Sequence, residues 1–177
     1  MKIVVRNFSI WGYLTYSVLV SIFIIGETFA DPGGWDAVLL NLQWIVPLIA
    51  LLIIAQTNPR ISSFIFIAIA SVIVGMAFTQ IFWTREWQGL KFPRGPIIGI
   101  ATMVLCVSLA VWARHRSSIA GFLMVISAGF PILAEALMIG TLRLGGSSAA
   151  VTLPAVFVGL LLLISDQVDK PKNSHSQ

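Results

Sequence analysis

The stretch AVLLNLQWIVPLIALLIIAQ, residues 37–56, runs for twenty residues without a charge. A helix that crosses a bilayer needs about 20 mainly apolar residues. The flanks read as helix ends. Upstream stands Asp31-Pro32-Gly33-Gly34-Trp35-Asp36, a turn in which proline fixes φ and the glycines permit positive φ. Asp36 is placed to cap the helix that follows. Downstream, Thr57-Asn58-Pro59-Arg60 ends the helix sharply.

Outward from this segment the pattern repeats. Comparable apolar runs lie at about 8–30, 61–83, 94–113, 117–139 and 149–165. They do not alternate with period two, as the strands of a membrane β-barrel would. Backbone groups in lipid must pair within their own segment, so the runs are helices. The expected fold is all-α: a polytopic transmembrane bundle of about six helices with short loops. Residues 1–165 form a single transmembrane domain, and 166–177 a disordered cytoplasmic tail.

Composition agrees. The chain of 177 residues is 58% hydrophobic and 10% charged, and its mean hydropathy is +0.94. A soluble domain carries roughly 25% charged residues. The net charge of +4 comes from Lys and Arg at segment ends. Basic residues there set orientation, and no nucleic-acid partner is expected. Seven of them fall on the side of the N-terminus and tail: Lys2, Arg6, Arg60, Arg114, Arg116, Lys170 and Lys172. Four fall on the other: Arg85, Lys91, Arg94 and Arg143. The positive-inside rule then puts both termini in the cytoplasm of a cell with this protein in its inner membrane. Trp11 and Trp112 are placed at the cytoplasmic interface, Trp35, Trp83 and Trp87 at the outer one, and Trp44 deeper between helices.

The start admits a second reading. Lys2, Arg6, the first apolar run and Thr28-Phe29-Ala30 imitate a signal peptide. The run is about twice the usual length for one, which favours a first spanning helix. Cleavage would leave five helices. A shift of 84 residues aligns Pro47 with Pro131 and Gly75 with Gly159, so two inverted halves are also open.

Charged and polar residues gather toward the outer face. Glu135 lies inside the fifth segment, about one turn from its outer end, on a face with Gly121 and Ala128. An intramembrane carboxylate faces a cavity or a partner. Glu27 lies at similar depth in the first segment, and Asn41 one turn into the second. Asp31, Asp36, Arg85, Arg94 and Arg143 complete the candidate cluster. It reads either as a vestibule or as ion pairs, such as Glu135 with Arg143 or Glu27 with Arg94, closing the bundle end.

Other chemistries lack their residues. Cys106 is alone and reads as a small core residue. His115 and His175 lie in a loop and the tail, so no metal or haem is expected in the bundle. Neither a phosphate loop nor a catalytic nucleophile pair appears. No cofactor and no enzymatic activity are expected. Small residues at Gly95, Gly99, Thr102, Cys106 and Ala110 form a stripe for close helix packing, within the chain or between copies.

The order Phe29-x-Asp31-Pro32-Gly33-Gly34-Trp35-x-Ala37, a Pro47-containing helix, then Asn58-Pro59-Arg60 resembles a group of small, uncharacterised multi-pass prokaryotic membrane proteins. The resemblance covers roughly the first third of the chain. It implies a membrane bundle and brings no activity. The expected role is a non-enzymatic membrane subunit or scaffold, in contact with the lipid bilayer and with a second copy or another membrane protein. The alternative is a small transporter or channel with an outer vestibule around Glu135 and Glu27.

Overall fold

The structure is a computed structural model. It describes the backbone at residues 2–82, 94–139 and 147–167, and the side chains at 4–79, 98–134 and 150–166. Among the described residues six helices follow one another: α1 Lys2–Ala30, α2 Gly34–Thr57, α3 Pro59–Phe82, α4 Arg94–Trp112, α5 Ser117–Ile139 and α6 Ser147–Gln167. The chain is an all-α, multi-pass membrane protein. Among the described residues, four helices, α1, α2, α3 and α5, are long and apolar enough to cross a membrane. The apolar stretches described in α4 and α6 are shorter, Ile98–Trp112 and Ala150–Asp166.

The packing is a wheel. Helix α4 touches all five others, which surround it in the order α1, α2, α3, α5, α6 and back to α1. Every residue from Thr102 to Ala110 is buried. Small and hydroxyl-bearing residues suit this place: Gly99, Thr102, Cys106, Ser108 and Ala110 let neighbouring backbones come close. The stripe expected to pack helices therefore lies within the chain, on the axle. The two halves are not equivalent, because α1, the counterpart of α4 under a repeat, is a rim helix.

The tightest rim contact joins α5 and α6. A Cβ on Gly121 would stand 2.7 Å from the Gly159 carbonyl oxygen, and one on Gly159 would stand 2.9 Å from the Gly121 oxygen. Backbone meets backbone here, which only glycine allows. Ala128, on the Gly121 face, is fully buried, as expected for a packing face.

Connections follow from their residues. Gly33 (φ 70°) and Gly34 (φ 60°) take the left-handed backbone that turns α1 into α2. The start of α2 has no side-chain cap, and Gly33 stands in the cap position. Asp36 lies inside the first turn instead of capping it. Two adjacent glycines let the helix begin earlier than a capping Asp36 would require, and the carboxylate then acts on the helix dipole. At the other end of α2, Asn58 is the single residue between helices. Its Oδ1 accepts from the Ile61 backbone N–H at 3.4 Å, and Pro59 opens α3, where its missing N–H costs nothing. The Ser62 hydroxyl clamps the joint on the Ile54 and Asn58 carbonyls, both at 2.8 Å.

Two sequence placements change. Trp112 is not an interfacial belt residue: it is fully buried. Its ring meets Phe66 edge-on at 5.5 Å between centroids, and its Nε1 donates to the Pro59 carbonyl at 3.2 Å. It sits on the axle helix, so even its end faces protein. Trp11, on the rim, is exposed and carries the Arg114 guanidinium 5.2 Å above its ring. Asp166, expected in a disordered tail, is the penultimate residue of α6. It accepts a hydrogen bond from the Ser117 hydroxyl at 3.2 Å, which ties the last turn of α6 to the first of α5.

Candidate functional site

The expected polar cluster divides into two kinds of residue. Asp31, Asp36 and Glu27 are exposed at the end of the bundle that carries the Asp31–Asp36 turn. None of the three makes an ion pair among the described residues. Phe29 and Trp35 flank them, and Trp35 is 82% exposed. The Asp31–Pro32 peptide is cis. The turn and the helix end before it present two aromatic rings and three carboxylates.

Asn41 is different. It is buried and spends its amide on structure. Its Nδ2 donates to Thr28 Oγ1 at 2.6 Å and to the Ala37 carbonyl at 2.9 Å. Its Oδ1 accepts from Trp44 Nε1 at 3.2 Å. Thr28 in turn donates to the Ile25 carbonyl at 2.9 Å. This closed network bridges α1 and α2 beside the turn and fixes Trp44 between helices, where its position in the sequence placed it. Asn41→Leu keeps the size but orphans the Trp44 N–H, so a loss of about 1–3 kcal/mol is expected. Thermal unfolding in detergent, in a double-mutant cycle with Thr28→Val, should show non-additivity if the two residues act as one unit.

Arg85 and Arg143 lie outside the described residues. Arg94 and Glu135 lie on described backbone, at the start of α4 and in the last two turns of α5, with side chains outside the described set. Neither the vestibule nor the ion pairs expected of these four residues can be built from the described side chains.

A second feature lies between α1, α2, α3 and α4. It is a cavity of about 440 Å³. Trp44, Leu51, Val104 and Leu105 form its buried floor, and the exposed Leu40, Gln43 and Pro47 of α2 form its rim. The lining is almost wholly hydrocarbon. The two polar groups at its inner side, Thr28 and the Trp44 indole, are already engaged with Asn41. Among the described side chains of the lining, the one polar group left without a hydrogen bond is the Gln43 amide. Proline at 47 has no N–H, so the Gln43 carbonyl also lacks its helical donor. Sequence reasoning named Pro47 but passed over Gln43. The signal was there: a glutamine four residues before a proline within an uncharged spanning segment.

A third, more closed set of polar groups lies around Cys106 on the axle, with Tyr13 and Ser17 from α1 and Ser127 from α5. The Tyr13 hydroxyl faces the Ser17 hydroxyl and the Cys106 thiol, yet makes no hydrogen bond of good geometry. Cys106 Sγ lies 3.8 Å from Ser127 Oγ. Ser127 itself donates to the Leu123 carbonyl at 2.6 Å, and Ser17 to the Tyr13 carbonyl at 2.8 Å. Thr102, one turn from Cys106, is fully buried and its hydroxyl is unpartnered. Two of these four hydroxyls, those of Ser17 and Ser127, are bonded back onto their own helix, the usual way such groups are satisfied in an apolar bundle.

No protein-family model matches the chain, and neither a curated protein nor a solved structure does.

Proposed function

We propose that the protein is a non-enzymatic membrane subunit that docks a partner through the Phe29–Asp36 turn. The observation that supports this is the exposure of Trp35 and Phe29 beside three carboxylates that make no ion pair among the described residues. Aromatic anchors in a polar rim are what interface hot spots are made of. The rest of the described bundle is built for solidity, with an axle helix enclosed by five others. In this reading the chain sits in a prokaryotic inner membrane with both termini in the cytoplasm. The bias of Lys and Arg toward the opposite end supports that orientation, and it puts the turn outside. A second copy of the chain or another membrane protein with a basic outer surface fits the turn's charge.

A photoreactive phenylalanine analogue at position 29, activated in intact membranes, tests the reading. One discrete cross-linked species is expected. Trp35→Ala should lower recovery of that complex at least about tenfold, as loss of a hot spot does. Thermal stability should change by less than about 0.5 kcal/mol, because the side chain is exposed. A clean monomer with no cross-link would sink the proposal. Flux in proteoliposomes that is lost in Glu135→Gln would favour the transporter reading instead.

A further inference from the structure

We infer that the cavity between α1, α2, α3 and α4 is a binding site for a neutral lipid alcohol: a long hydrocarbon chain bearing one hydroxyl group. The argument starts from what cannot fill the space. A water molecule needs two to four polar partners, and apolar cavities stay dry. Here only Gln43 offers uncommitted polar atoms among the described residues. The volume, about 440 Å³, lies within the range of small-molecule pockets. A hydrocarbon occupant suits the floor of Trp44, Leu51, Val104 and Leu105.

Depth narrows the class. Gln43 lies six residues into the uncharged stretch 37–56, about 9 Å along the helix axis from Ala37. The hydrocarbon core of a bilayer is about 30 Å thick, so this amide sits inside it, below the headgroups. A phospholipid headgroup stays at the surface and cannot reach it. A neutral molecule wholly within the hydrocarbon can.

Hydrogen-bond complementarity narrows it again. The amide NH₂ of Gln43 donates, and its amide oxygen accepts. The backbone carbonyl of Gln43, deprived of a donor by Pro47, also accepts. A hydroxyl both donates and accepts, so it can answer both groups at once. A ketone or ester carbonyl can answer only the NH₂. An unpaired amide facing lipid is costly, and a bound hydroxyl removes that cost at the mouth of the cavity.

The test uses the full chain in phosphatidylcholine nanodiscs. The probe is a sixteen-carbon alcohol bearing a diazirine, and a diazirine-bearing phosphatidylcholine serves as the second arm. Saturable labelling by the alcohol is expected on residues 40–51 and 100–105, displaced by unlabelled hexadecanol. Gln43→Leu, at an exposed position, should weaken it about fivefold, the worth of one net hydrogen bond. Ala101→Phe, which fills the space, should abolish it. The phosphatidylcholine probe should label the lipid-facing surfaces of α1 to α3 equally in all chains. Alcohol labelling that does not saturate, or that survives Gln43→Leu unchanged, overturns the inference. Equal, hexadecanol-insensitive labelling of the cavity by phosphatidylcholine also overturns it and leaves an ordinary lipid chain as the occupant. Should Ala101→Phe fail to fold, Gln43→Leu and the hexadecanol competition decide alone.

Discussion

Trp112→Ala is expected to cost about 3–5 kcal/mol, the range for removing a large buried aromatic ring. The ring is fully buried at the end of α4. It meets Phe66 edge-on and holds the Pro59 carbonyl through its indole N–H. Truncation therefore opens a cavity between axle and rim and leaves the half-buried Pro59 carbonyl with one partner fewer. Trp112→Phe separates the two contributions. It keeps most of the volume and the aromatic contact, and should lose about 1 kcal/mol for the hydrogen bond with a smaller term for the packing defect. Reversible unfolding in mixed micelles, followed by tryptophan fluorescence and by circular dichroism, measures both. An alanine chain as stable as the parent would mean that Trp112 does not hold α4 to α3.

Gly121→Val should be nearly as damaging, by the opposite route. The added atoms would press on the Gly159 carbonyl at 2.7 Å and on the Leu162 Cβ at 3.0 Å. Backbone and a Cβ cannot swing aside as the tip of a side chain can. The helices must separate, and overpacking of this kind costs about 1–3 kcal/mol and at times more. Because α5 and α6 share the tightest contact of the rim, the shift propagates along both. Gly75→Val is the control. A Cβ on Gly75 meets nothing within 4 Å, so that substitution should be close to neutral. The contrast separates a crowding effect from the general response of a helix to a β-branched residue. Equal losses at 121 and 75 would remove the glycine contact from the account.

The six helices were legible because lipid imposes a length and a polarity, and turn residues such as Gly33, Gly34, Asn58 and Pro59 punctuate them. Which helix stands at the centre was harder to read. In water a buried face is apolar and the other polar, so amphipathicity points inward. In lipid both faces are apolar, and that signal vanishes. What remained was size: the small residues of α4, from Gly99 to Ala110, marked a packing stripe, and the structure puts that stripe on the axle. The same ambiguity misplaced Trp112. A tryptophan near a segment end reads as a belt residue on the rim, but it is a core residue on the axle. Asn41 was read as a member of a polar cluster because its depth matched Glu27. Its network with Thr28 and Trp44 depends on the angle at which α1 meets α2, which no one-dimensional pattern carries. The cavity was invisible for a related reason. It is a gap left by the packing of four helices, and residues report what they fill more readily than what they leave open.

The wheel also constrains the order in which the chain can be assembled. Synthesis delivers α1, α2 and α3 first, yet α1 and α3 make no contact with each other among the described residues. Three rim pieces without their axle are an open arc. The ring closes only where α3 meets α5 and where α6 returns to α1, and both joints lie after α4 in the chain. The fourth helix must therefore enter the arc before the last two arrive, since a closed ring would shut it out. A nascent chain stalled beyond α6 would hold the closed ring around its axle, whereas one stalled before Arg94 would be an open arc of rim helices with no axle.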